Sequence, residues 1–113
     1  MAALEELRER LDQIDNQITH LYEERMKICE EVGAYKVQTG KRVLDKQREN
    51  NKLADVASKV EGEFNKKGIQ ELYEQLMSMS RKLQYRQLVE AGALGRLPFI
   101  EITSLEKETA RVV

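Results

Sequence analysis

The sequence predicts an all-α protein built from three helices, the first of them unusually long. Its 113 residues, enough for one domain with a modest core, include six glycines, one proline and no tryptophan. Charged residues make up 35% and apolar residues 41%, a balance typical of long amphipathic helices. Apolar side chains recur at alternating steps of three and four residues, which is the spacing of a helix face that packs against other helices.

The first predicted helix covers residues 4–36 and carries one apolar face along its whole length. Successive positions of this face are Leu4, Leu7, Leu11, Ile14, Ile18, Leu21, Arg25, Ile28, Val32 and Tyr35. The helix would be about 50 Å long at about 1.5 Å per residue, whereas a compact chain of this size has a radius of gyration of about 13 Å. Because the remaining residues cannot cover such a helix, we expect a second copy of the chain to do so, in an intertwined homodimer.

Turn signals separate the other two predicted helices. Gly40 predicts the end of the first helix, and Asp45 predicts a cap for the second, which covers residues 44–60. The segment EGEFNKKG, residues 61–68, is interpreted as a turn. The third helix then covers residues 69–90 and ends at GALGRLP.

The charge balance and the rare residue types argue against several classes of function. Nineteen Lys and Arg against 20 Asp and Glu give a net charge of −1, which does not favour a nucleic-acid-binding protein, although a local basic pocket is compatible with it. No apolar run approaches the roughly 18 residues of a membrane span. The amino end lacks the hydrophobic core of a signal peptide, so we predict a cytoplasmic protein without membrane contact. Cys29 and His20, the single residues of their types, offer no metal-ligand spacing, and we expect no bound metal.

One position of the first helix conflicts with its apolar pattern. Arg25 stands where the spacing requires Leu or Ile, and a charge buried without a partner costs several kcal/mol. It must therefore reach the solvent, pair with an acid on a neighbouring helix or bind an anionic ligand. Lys36 follows eleven residues later, about three turns along nearly the same face.

Six further polar residues complete a candidate binding site across the three helices. They are Arg8, Asp45, Arg48, Glu49, Ser80 and Gln84. Each also has a simpler interpretation, as a solvated surface residue, a member of an ion-pair cluster within the second helix or a polar residue at the edge of the core. Together, several cations, two acids and two neutral groups predict a pocket for a small polyanion with hydroxyl or ether oxygens. An enzyme with such a pocket would act by positioning and electrostatics rather than covalent chemistry.

Three segments of the sequence resemble the all-helical chorismate mutases. They are LRERLDQIDNQITHLYEERMKICEEVGAYK, VLDKQRE and LMSMSRKLQ, within a resemblance that covers about residues 4–88. The sequence departs from the family pattern at Arg42, where many members have proline. The resemblance implies an intertwined dimer with two active sites, each built from both subunits. It also implies a cofactor-free rearrangement of chorismate to prephenate, on the route to phenylalanine and tyrosine.

The resemblance also implies roles for the cationic and amide side chains. Arg25, together with Arg8 of the partner subunit, would hold the two carboxylates of the substrate. Lys36 and Gln84 would donate to the ether oxygen, which gains negative charge as its bond to carbon breaks. Such contacts strengthen in the transition state and therefore contribute to the rate.

The remaining polar residues would complete the site. Asp45, partly through its backbone, and Glu49 would hold the ring hydroxyl of the substrate. Ser80 would assist at a carboxylate, and Arg48 would complete the cationic wall. The catalytic residues implied by the resemblance are Arg25, Lys36, Glu49 and Gln84.

The last residues are similar to a connector between domains. The segment FIEITSLEKETARVV is similar to the stretch that follows the mutase domain in bifunctional chorismate mutase–prephenate dehydratases. We therefore expect a mutase domain at residues 1–92 and, at residues 93–113, a tail or a linker toward a downstream domain.

Two other functions are compatible with the sequence. A non-enzymatic helical dimerisation module would tolerate replacement of Arg25 and Lys36 with a loss of some stability only. An isochorismate pyruvate lyase would use the same fold and the same type of pocket.

Overall fold

A computed structural model describes residues 3–93, which form three helices. Helix α1 spans Ala3–Thr39, α2 spans Lys46–Ser58 and α3 spans Glu63–Ala93, and this part of the chain contains no strand. The predicted all-α fold with a very long first helix is therefore confirmed. None of these three helices is long and apolar enough to cross a membrane. The predicted tail at 93–113 lies outside the described residues except for its first position, so the predicted domain boundary stays a prediction.

The signals that end α1 and begin α2 are confirmed. Gly40 follows α1 with a φ of 73°, a left-handed conformation that glycine adopts without steric cost, and its N–H donates to the carbonyl of Lys36 at 2.9 Å. Asp45 caps α2, because its Oδ1 accepts a hydrogen bond from the N–H of Arg48 at 3.1 Å. This cap fixes where the first turn of α2 begins and thereby positions the side chains of that turn.

Helix α3 begins six residues earlier than predicted. Gly62, with a φ of 84°, ends the connection after α2, whereas Gly68 is helical, so the interpretation of residues 61–68 as a turn was wrong. Lys66 in this stretch ties α3 to the end of α2 and to the connection after it, because its Nζ donates to the carbonyl oxygens of Ala57 at 2.9 Å and of Val60 at 3.0 Å. The bond to Ala57 satisfies a carbonyl group that a helix end leaves unpaired, and both bonds favour a helical start at this point.

Helix α3 packs against both other helices and contributes to the small core. Val43, from the connection before α2, is buried against Tyr85 of α3, with Leu88 packed beside them. Where α1 meets α3, a Cβ atom added at Gly33 of α1 would lie only 1.8 Å from Gln87 Oε1. The two long helices therefore approach closely at the level of Gly33, which allows polar side chains of α3 to reach the backbone of α1.

The apolar face of α1 is left exposed by the other residues that the structure describes. The described part of the chain measures 63 × 27 × 21 Å, and its radius of gyration of 17.9 Å exceeds the roughly 13 Å of a compact chain of similar length. The nine apolar positions of the α1 face are 40–59% exposed. Within residues 3–93 the chain leaves its first helix uncovered, as predicted, whereas the second copy that would cover it stays a prediction.

Candidate active site

A cavity of about 350 Å³ lies where the three helices meet. Its walls are the carboxyl half of α1, the first turns of α2 and the middle of α3. Seven of the eight predicted site residues line it: Arg25, Lys36, Asp45, Arg48, Glu49, Ser80 and Gln84. Arg8, the eighth, is exposed near the amino end of α1 and does not line this cavity. A single chain therefore brings together all the predicted residues except Arg8.

Arg25 enters the cavity from α1 with its charge facing neutral groups. Its Nη1 donates a hydrogen bond to Ser80 Oγ at 2.8 Å and lies 3.7 Å from Cys29 Sγ. Its guanidinium carbon is 5.9 Å from the centre of the Tyr73 ring, within the range of a cation–π interaction. Among residues 3–93 no carboxylate forms an ion pair with it. Arg25 is thus a half-buried cation without an acidic partner in the described chain, as expected of an anion-binding residue.

Ser80 orients the Arg25 guanidinium. The Ser80 hydroxyl is buried, donates its single proton to the carbonyl of Leu76 at 2.9 Å and accepts from Arg25. The Cys29 thiol lies 3.1 Å from the same oxygen. Because the serine proton is used within α3, the hydroxyl presents its lone pairs to the guanidinium and limits where Arg25 can point.

Lys36, near the end of α1, is held in a partly desolvated position. Its Nζ donates to the carbonyl of Val43 at 2.9 Å. Burial lowers the pKa of Lys36 below its ordinary value of 10.5, while the negative charges of Asp45 and Glu49 oppose this shift. An ammonium group with reduced hydration gains more from an additional acceptor than one in water does.

Gln84 is a buried amide on α3 that can reach an acceptor in the cavity. Only 6% of the residue is exposed, and its Nε2 lies 3.4 Å from the carbonyl oxygen of Cys29. This distance is beyond the usual range of an N–H···O hydrogen bond. Because the bond is weak, the amide loses little by turning toward a better acceptor, and it is a neutral donor at any working pH.

The start of α2 brings two acids into a cavity that is otherwise cationic. Asp45 uses one carboxylate oxygen for the helix cap described above. Glu49 forms an ion pair with Arg81 of α3, in which Glu49 Oε1 accepts from Arg81 Nη1. Glu49 is therefore paired across two helices, and the interpretation of this carboxylate as part of a cluster within α2 was wrong. The pair joins α2 and α3 at the wall of the cavity.

Three charged or aromatic lining residues were not predicted from the sequence: Lys52, Tyr73 and Arg81. A spacing signal for one of them exists, because residues 73, 77, 80 and 84 line the cavity at steps of four, three and four. Extending this spacing backward from Ser80 would have identified Tyr73. Arg81 gave no comparable signal, because its importance comes from a partner on α2 rather than from a pattern along α3.

Comparison with known protein families agrees with this site. A family model described as chorismate mutase type II matches residues 7–85, a stretch that contains all eight predicted site residues. No curated protein and no solved structure matches the chain. The matched stretch covers most of the chain and includes every residue that lines the cavity. The chain therefore belongs to the chorismate mutase type II family and is an isomerase that converts chorismate into prephenate.

Proposed function

We propose that this chorismate mutase works by selecting the reactive conformer of its substrate in the cavity between the three helices and by stabilising the charge that develops there. The observation that carries the proposal is Arg25, a half-buried cation that faces the cavity and has no acidic partner in residues 3–93. Chorismate carries two carboxylates, and its rearrangement is unimolecular. Catalysis can therefore come from orientation and electrostatics alone.

Arg25 would bind one substrate carboxylate, and Arg8 of the partner subunit would bind the other. In its own chain Arg8 lies seventeen residues before Arg25, a distance of about 25 Å at about 1.5 Å per residue, so it cannot serve the same cavity. The exposed apolar face of α1 supports a second copy of the chain as the missing wall. An antiparallel partner would cover this face and bring its Arg8 toward the cavity.

Lys36 and Gln84 would stabilise the transition state at the ether oxygen. They reach the cavity from α1 and from α3 respectively, and within residues 3–93 each uses a backbone carbonyl as its acceptor. The ether oxygen becomes more negative as its bond to carbon breaks. Both contacts therefore strengthen as the reaction proceeds, which lowers the barrier rather than only improving binding.

The residues of α2 would hold the substrate ring. Glu49 would accept the hydrogen bond that the ring hydroxyl donates, and Asp45 would help to hold this hydroxyl, partly through its backbone. Arg48 would add to the cationic wall. Ser80 would act mainly by aligning Arg25 with the bound carboxylate, as its hydrogen bonds indicate. This arrangement combines cations for two carboxylates with an acidic acceptor for one hydroxyl.

We also propose that the enzyme acts in phenylalanine and tyrosine biosynthesis in the cytoplasm. We further propose that it is fused to a prephenate dehydratase. The fusion is supported by the similarity of FIEITSLEKETARVV to the connector in bifunctional enzymes. Sequencing the coding region beyond the codon for Val113 tests it. An in-frame dehydratase domain would support the fusion, and an immediate stop codon would contradict it.

The reaction itself is tested by following the loss of chorismate absorbance with purified protein, without added metal or cofactor, and by identifying the product. Prephenate is the expected product. Pyruvate formed from isochorismate, without prephenate from chorismate, would instead indicate the lyase. A folded protein that turns over neither substrate would contradict the enzymatic proposal and favour the dimerisation module.

A further inference from the structure

Arg81 and Glu49 form an ion pair that belongs to the wall of the cavity. The pair joins α3 to α2, and the two side chains are only 15% and 23% exposed. Arg81 follows Ser80 and precedes Gln84 by three residues, so all three lie on the cavity face of α3. The sequence pattern did not assign any role to Arg81.

Glu49 on its own would be unfavourable in a pocket that binds a dicarboxylate. Like charges repel, and the repulsion grows where protein replaces water. The side chain in direct contact with the Glu49 carboxylate is Arg81, whose guanidinium offsets its charge. A charged pair in this position is tolerated far better than a single buried charge. Arg81 therefore makes an acid compatible with an anion-binding cavity.

We propose that Arg81 is a positioning residue that acts on the substrate through Glu49. Its guanidinium neutralises the carboxylate and holds Glu49 Oε1, which leaves Glu49 Oε2 to accept the hydrogen bond from the ring hydroxyl. This inference rests on the proposed function, since it requires that Glu49 faces the substrate.

A second feature of Arg81 supports an indirect role over direct binding. Its Nε is buried and has no hydrogen-bond partner among the described residues. Leaving this donor unpaired costs free energy. Because the Nε atom is shielded, it does not face a ligand in the cavity. The side chain is held by its contact with Glu49, and its effect on the reaction passes through that contact.

A double-mutant cycle tests the inference. Arg81→Met removes the charge and keeps most of the side-chain volume, whereas Glu49→Gln removes the acid and keeps an acceptor for the hydroxyl. We expect Arg81→Met to raise KM for chorismate about 10- to 100-fold, with a smaller loss in kcat, because it leaves an unpaired carboxylate beside the substrate. Adding Glu49→Gln should then restore KM to within about threefold of the value for Glu49→Gln alone.

Other results would overturn the inference. If Arg81 served only to pack α3 against α2, the losses of the two single variants would add and Glu49→Gln would rescue nothing. If Arg81 bound substrate directly, Arg81→Met would raise KM as much in the Glu49→Gln background as in the wild type. If Arg81→Met alone fails to fold, the comparison of Glu49→Gln with the double variant Arg81→Met, Glu49→Gln remains decisive. The double variant contains no unpaired carboxylate at this position.

A matched control separates this inference from the proposed function. Arg86 is another arginine of α3, but its side chain is 72% exposed and lies near Glu90, so Arg86→Met should keep wild-type kinetics. Absence of chorismate turnover by the wild type would overturn the proposed function and this inference with it. Wild-type turnover with unchanged kinetics in Arg81→Met would overturn this inference alone.

Discussion

Arg25 shows at the scale of one residue how a departure from a pattern marks a site. It interrupts the apolar face of α1, and the structure surrounds it with a hydroxyl, a thiol and an aromatic ring rather than an acid. A partly buried cation without an acidic partner is poorly solvated, and an anionic ligand restores the lost interactions. Its contribution is therefore expected in substrate binding and not in the stability of the fold.

Replacement of Arg25 or Lys36 should separate activity from folding. We expect Arg25→Ala and Lys36→Ala each to lower kcat/KM about 100-fold or more, since each removes a charged contact to the substrate or the transition state. Circular dichroism and thermal unfolding should show a folded protein in both cases. Lys27→Ala is the matched control, because this exposed cation of α1 does not line the cavity. Full activity in either site variant would contradict the assignment.

Lys36 should also set the alkaline limit of activity. Burial lowers its pKa below 10.5 in the free protein, so kcat/KM should fall at a pH lower than that of an ordinary lysine. Bound substrate adds negative charge beside the ammonium, so the corresponding fall in kcat should occur at higher pH. Steady-state kinetics across alkaline pH measure both. In Lys36→Arg the fall should disappear, because a guanidinium stays charged; an unchanged fall would identify another group.

Deprotonation of Lys36 should reduce activity, but its contribution to the stability of the fold has the opposite dependence on pH. The pKa of Lys36 is lower in the folded chain than in the unfolded chain. Between these two values the unfolded chain binds more protons, so this lysine makes the free energy of unfolding rise with pH. The contributions of Lys36 to activity and to stability therefore change in opposite directions over the alkaline range.

The sequence predicted the residues that break or fill a pattern and missed those whose role depends on a contact between helices. Arg25 was recognised because a charge replaced an apolar residue, and the start of α2 because an acid stood at its cap. Arg81 follows Ser80 on a helix with many charges, and nothing in the order of residues shows that it meets Glu49. Such a pairing is set by how α2 lies on α3, which periodicity does not determine.

At the scale of elements, Gly33 determines how closely α1 and α3 pack. A Cβ atom there would lie 1.8 Å from Gln87 Oε1 and 3.0 Å from Gln84 Cγ. Gln87 is not free to move away without loss, because its Nε2 donates to the carbonyl of Glu30 at 2.9 Å. A larger residue at position 33 would therefore disturb a hydrogen bond between the helices and the position of a proposed catalytic amide.

Gly33→Ala should destabilise the protein by about 1 kcal/mol, because overpacking by about 1–3 kcal/mol outweighs the roughly 1 kcal/mol that alanine gains in a helix. Urea unfolding at one fixed protein concentration measures this. Gly68→Ala is the control, since a Cβ there meets nothing within 4 Å, and it should stabilise α3. Adding Gln87→Ala should relieve Gly33→Ala; a Gly33→Ala protein more stable than wild type would contradict the close approach.

The helices themselves were largely predictable, because the spacing of apolar residues and the capping residues are local features of the sequence. The steps of three and four gave all three helices, and Gly40 gave the end of α1 within a few residues. The start of α3 was missed because the whole segment 61–68 was interpreted as a turn. A contact in space, from Lys66 to the end of α2, helps to make this segment helical, and such a contact cannot be read from the spacing of apolar residues.

At the scale of the whole molecule, the length of α1 has the largest consequence. Its apolar face stays about half exposed in the single chain, and burial of apolar surface is the main force that drives association.

Ile18→Glu, at a position that is 54% exposed, should convert the expected dimer into monomers, detected by sedimentation velocity. Activity should fall with it, because Arg8 would no longer be supplied. Gln17→Glu, also exposed but off this face, should leave the dimer intact. A monomeric wild type would contradict the expectation.

Mixed dimers test whether each active site is built from two chains. Arg8→Ala and Lys36→Ala homodimers should both be inactive, but a hybrid contains one site with Lys36 from one chain and Arg8 from the other. Random exchange of equal amounts should therefore restore about one quarter of the wild-type activity, since about half of the dimers are hybrids and each has one intact site. Mixing Arg25→Ala with Lys36→Ala should restore nothing, because both residues line the same cavity of one chain. Native mass spectrometry confirms that hybrids form, and hybrids without recovery in the first mixture would show that Arg8 does not act across the interface.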